Sequence, residues 1–95
     1  MGVLHHVSLD PADPSVWNLL LDALVEGDIV VLLDQAVRDA DAVARIIDAA
    51  SATVRWCVPA IECAPGTALP APLTLIADED WWLLIATGEG PIEWN

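Results

Sequence analysis

Cys57 is the residue of this chain with the most chemistry to offer. In Trp56-Cys57-Val58-Pro59 it stands toward the end of a β-prone apolar run that Pro59 closes. A thiol at the carboxyl end of a strand can be exposed and touched by backbone N–H groups, which stabilise a thiolate or a persulfide. Packed between Trp56 and Val58, with acids around it raising its pKa, the same residue is instead a small buried hydrophobe. The residues leave both readings open. Cys63, the other cysteine, has less apolar neighbours and no local cation to lower its pKa. Two cysteines are too few for a disulfide scaffold, and their spacing fits neither a zinc site nor a Cys-x-x-Cys redox pair, so no metal and no cofactor are expected.

His5 and His6 are adjacent on a predicted strand and therefore point to opposite faces, one toward the core or an interface. Ser8 beside them invites comparison with a hydrolase, but no nucleophile elbow accompanies it. Asp34 and Asp78 each follow a strand and precede a helix, where a carboxylate caps the helix by default. Neither Gly-x-Gly-x-x-Gly nor a Lys-bearing phosphate loop occurs, which removes nucleotide binding.

The elements that must position these residues can be read in order. Val3 to Ser8 reads as a first strand. Asp13 as N-cap and Pro14 at the first helical position open a helix to about Glu26, with Trp17, Leu20, Leu21 and Leu24 on one stripe. Val16, Leu19 and Val25 lie outside that stripe. Gly27 precedes Ile29 to Leu33, a continuous apolar run too short for a helix, which reads as a central strand buried on both faces. Residues 36 to 50 predict a second helix, with Val37, Ala40, Val43, Ala44 and Ile47 inward and Arg38, Asp41, Arg45 and Asp48 on the solvated face. Thr53 to Val58 is a third strand and Leu73 to Ala77 a fourth. Asp78 leads into a short helix through Trp81 and Trp82 that Gly88 and Gly90 stop, and Pro91 to Trp94 adds a last strand. This alternation predicts a three-layer α/β/α domain over residues 1–95, with a mostly parallel five-stranded sheet whose functional groups gather at the carboxyl ends of the strands: Ser8, Asp34, Cys57 and Asp78.

Composition narrows the partners. Fifteen acids face only Arg38, Arg45 and Arg55, for a formal net charge of −12. Such a surface repels phosphate backbones and anionic lipid, so direct binding to nucleic acid or membrane is not expected. With 56% apolar residues in so small a chain, part of the apolar surface, including that of the five Trp, is expected at contacts with other chains, in a homo- or hetero-oligomer. The absence of a basic, apolar leader and of a long apolar run points to a cytoplasmic protein with reduced thiols.

Taken along its length, the chain resembles the DsrH/TusB family of small sulfur-relay subunits. The likeness rests on Val-Leu-His-His-Val-Ser at 3 to 8, Glu-Gly-Asp-Ile-Val-Val-Leu-Leu at 26 to 33, Val37, Ala64 and Gly66, Leu75-Ile76, Asp80-Trp81 and Trp94. It spans residues 3 to 95 almost without gaps. The family's Asp-Gly-Val is replaced by Gln35-Ala36-Val37, its loop Arg by Pro65, and the first-helix cysteine of some members by Leu20.

The resemblance implies a DsrE/DsrF/DsrH-like fold and an accessory subunit, itself not the sulfur carrier. Its partners would be DsrE/TusD-like and DsrF/TusC-like subunits, typically two copies of each, passing persulfide sulfur to a DsrC/TusE-like acceptor. The purpose would be tRNA wobble-uridine 2-thiolation or dissimilatory sulfur oxidation. In the family the carrier cysteine follows the third strand, a place similar to that of Cys57, which makes Cys57 the candidate catalytic residue if this chain carries sulfur itself. An unrelated small α/β protein-binding module is the remaining alternative.

Overall fold

A computed structural model describes residues 2–48, 50, 53–64, 66–88 and 90–95. Ala49, next to the last residue of the predicted second helix, and Pro65 lie outside them.

Five strands form one sheet in the order β4-β3-β2-β1-β5: β1 Leu4–Val7, β2 Ile29–Leu32, β3 Arg55–Pro59, β4 Thr74–Ile76 and β5 Ile92–Trp94. Every pairing is parallel, so the sheet is fully rather than mostly parallel. β2 takes the middle, and its Val30, Val31 and Leu32 are fully buried, as a continuous apolar run between two helical layers requires.

Strand alternation divides the core into two clusters. Val7, Val30, Leu32, Trp56 and Val58 face α1 (Pro14–Ala23), α2 (Gln35–Arg38) and α3 (Ala40–Ile47), meeting Trp17, Leu20, Ala36, Val43 and Ile47. Leu4, Val31, Cys57 and Ile76 face the other way, against Trp81, Leu84 and Ile85 of α4 (Asp78–Thr87). Three layers result among the described residues, with α1, α2 and α3 on one side of the sheet and α4 on the other.

The predicted stripe on α1 holds, since Trp17, Leu20 and Leu24 are buried. Trp17 is fully enclosed because its one polar atom has a partner: Nε1 donates to the Asp10 carbonyl at 3.1 Å. The helix stops at Ala23, three residues short of the expectation, because Leu24 turns to extended backbone.

The helix expected over 36 to 50 is two helices. Asp39 takes a non-helical conformation between them, and its side chain accepts from Ala42 N–H at 3.1 Å. It caps α3, which breaks the run that residue spacing alone makes continuous. Asp34 and Asp78 do not cap with their side chains. Ala77 holds the N-cap position of α4, so Asp78 lies one residue too far in, and its Oδ1 accepts from Ile61 N–H at 3.1 Å.

Candidate functional site

Cys57 sits in the middle of β3, paired in register with Val31 of β2 and Thr74 of β4. This corrects the expectation of a thiol at the strand's carboxyl end, which Pro59 occupies. It also corrects the expected packing. Successive strand residues point to opposite faces, so Trp56 and Val58 pack beneath α1 to α3 while Cys57 points to the α4 side among Leu4, Val31 and Ile76.

The residue is 0% exposed. Burial pushes its thiol pKa up, while Arg55, on the same face of β3, and the Thr74 hydroxyl pull weakly the other way. Desolvation, not the surrounding acids, is therefore the cause. Cys63 is half-buried against the larger cluster, and its pKa is raised too, by burial first and by Glu62 second. Neither cysteine has the exposed, electropositive setting that makes a thiol reactive.

The carboxyl rim of the sheet carries Ser8, Asp34 and Asp78, as predicted, but joins them into no reactive group. Ser8 Oγ donates to the Trp94 carbonyl at 3.3 Å, so it is not paired with a histidine base. Two backbone N–H groups of the rim have carboxylate partners: Asp34 N–H donates to Glu62 at 3.2 Å, and Ile61 N–H to Asp78. Two shallow depressions of about 170 and 200 Å³ flank Gln35 at this rim, and neither is lined by a histidine or cysteine.

The most organised polar group lies elsewhere and was not predicted. Asp28, at the head of β2, is buried with both oxygens engaged. Oδ1 accepts from Val3 N–H at 2.9 Å, and Oδ2 accepts from Val25 N–H at 3.0 Å and stands 3.0 Å from His5 Nε2. Burial alone would raise its pKa, but the Val3, Val25 and His5 hydrogen bonds outweigh it and hold the carboxyl below the usual range. Gly27 makes the turn possible, with φ of 89° and its N–H on the Thr53 carbonyl.

His5 and His6 each lie between one indole and one carboxylate, on opposite faces of β1. Trp94 Nε1 donates to His5 Nδ1 at 3.1 Å, which leaves the His5 proton on Nε2 to be donated to Asp28. Trp81 Nε1 donates to His6 Nε2 at 3.1 Å, so His6 holds its proton on Nδ1, 2.8 Å from Glu93. The two rings are neutral in opposite tautomers. Together they tie β5 to β1 through Trp94 and Glu93 and draw α4 onto the sheet through Trp81.

Chemically these groups are satisfied rather than poised. His5 and Asp28 lie at the amino edge of a parallel sheet, away from the carboxyl end where sites gather. No buried side-chain polar atom among the described residues lacks a partner. Residue spacing could not announce the pairing, because Asp28 is far from His5 in sequence and reads locally as a turn residue.

No described helix is long and apolar enough to cross a membrane. The chain matches no family model and no curated protein sequence.

Proposed function

We propose that the chain is an accessory, non-carrier subunit of a cytoplasmic sulfur-relay complex of the DsrEFH/TusBCD type. Persulfide sulfur would be held on its DsrE/TusD-like partner and passed to a DsrC/TusE-like acceptor. The observation that carries this reading is the enclosure of Cys57 beneath α4, with a thiol pKa raised by burial. A carrier sulfur must be reached by donor and acceptor in turn, and a fully enclosed thiol is reached by neither. The sequence resemblance over residues 3 to 95 supplies the relay itself, and the parallel α/β sheet is compatible with it. Carriage by Cys57 is the second reading, and it requires α4 to leave the sheet. The test is affinity purification of the tagged chain from its native organism, with mass spectrometry. DsrE- and DsrF-like chains in stoichiometric amounts support the proposal. Purification of the chain without them contradicts it.

A further inference from the structure

We propose that the outer face of α4, with the 3-10 turn Ala60–Glu62 at its start, docks a partner protein whose contact surface is apolar and bordered by lysine or arginine. This rests on the subunit reading only in taking the occupant to be another protein.

Trp81, Leu84 and Ile85 pack on the sheet, yet Trp82 and Leu83 point outward and are 64% and 61% exposed. A helix with large apolar side chains on both sides is one that is covered on both sides. Ile61, 72% exposed, lies by the first turn of α4, where its N–H donates to Asp78, and Trp82 follows Asp78 by one helical turn. On α1, by contrast, the exposed Leu19 has the polar Ser15 and Asp22 one turn to either side, and the exposed Val25 lies past the end of the helix.

Charge selects the occupant. Asp78, Glu79 and Asp80 fill the first turn of α4, Glu62 ends the 3-10 turn, and no Lys or Arg occurs after Arg55. A second copy, with the same net charge of −12, would set acids against acids across an apolar contact, and an anionic membrane would do the same. A basic border meets this rim with opposite charge, while the apolar centre supplies the buried anchors that dominate interface energy.

The test titrates the full chain with a short amphipathic helical peptide of leucine and lysine, and with its leucine and glutamate counterpart, by calorimetry. Trp82→Ser/Leu83→Ser removes the anchors without changing charge, and Leu19→Ser/Val25→Ser does the same on α1. The lysine peptide is expected to bind the unmodified chain and the α1 variant equally, and the α4 variant at least about tenfold more weakly. The glutamate peptide is expected not to bind. Circular dichroism confirms that both variants are folded. Absence of binding, or binding to the α4 variant as tight as to the unmodified chain, overturns the proposal. So does self-association that the α4 variant abolishes, which would make a second copy the occupant, and so does binding to zwitterionic vesicles through the same residues. Failure here with DsrE- and DsrF-like chains still co-purifying would leave the subunit reading standing on another face.

Discussion

Trp94 Nε1 donates to His5 Nδ1 at 3.1 Å, and that single bond determines what the rest of the amino edge of the sheet must be. It places the His5 proton on Nε2, and Asp28 is the acceptor that receives it. Asp28→Asn keeps the size but turns one oxygen into an NH₂ group. That group meets either Val3 N–H or the Val25 N–H and His5 donors, so at least one donor loses its acceptor. The expected cost is about 1.5–3 kcal/mol, the range for hydrogen bonds to a charged group. Urea unfolding followed by Trp fluorescence measures it.

The same carboxylate gives a pH dependence of known sign. Its pKa in the folded chain lies below that of an unfolded Asp, about 3.9. The stability it lends is therefore complete above that value and fades as the pH falls through the folded pKa. The difference in unfolding free energy between the unmodified chain and Asp28→Asn is expected to be constant near neutrality and to shrink below about pH 4. A difference that grows in acid would reverse the assignment.

Two substitutions on β5 separate its two ties. Trp94→Phe leaves His5 Nδ1 without its donor and is expected to cost about 1–3 kcal/mol. Glu93→Gln affects an acceptor whose side chain is 58% exposed, where water substitutes, and is expected to cost at most about 0.5 kcal/mol. Hydrogen exchange at Ser8 N–H, which bonds the Trp94 carbonyl at 2.8 Å, is expected to accelerate in the first variant more than in the second.

The isolated chain is expected not to retain tRNA. No Lys is present, and Arg38 and Arg45 are exposed on helices flanked or joined by Asp39, Asp41 and Asp48, so the described residues form no basic surface to release counterions from phosphates. Salt-dependent anisotropy changes with free tRNA would contradict this, whereas binding by an assembled complex would not.

Where periodicity is local and strong, the fold was legible in the sequence: the Trp17 to Leu24 stripe, the buried run of β2 and the order of the elements all stand. Asp39 was not, because a polar residue on the solvated side of a helical pattern and one that breaks the helix have the same spacing. The side taken by Cys57 was legible and was misread, since its strand neighbours Trp56 and Val58 must face away from it. The histidine ties lay beyond the sequence. They depend on β5 reaching the far side of β1, and Trp81 and Trp94, which look like interface material in a composition count, are spent on His6 and His5.

On the proposed sulfur-relay reading, whether the chain carries sulfur itself or only supports chains that do is decided at Cys57. The measurement is incubation of the folded chain with a sulfane-sulfur donor near neutral pH, mass spectrometry of the Cys57 peptide, and sulfur transfer by the assembled complex bearing Cys57→Ala. A thiol that is 0% exposed and shifted away from thiolate is expected to take up no persulfide. The substitution is expected to leave transfer intact. A persulfide on Cys57 together with loss of transfer in Cys57→Ala would contradict the accessory role and make this chain the carrier.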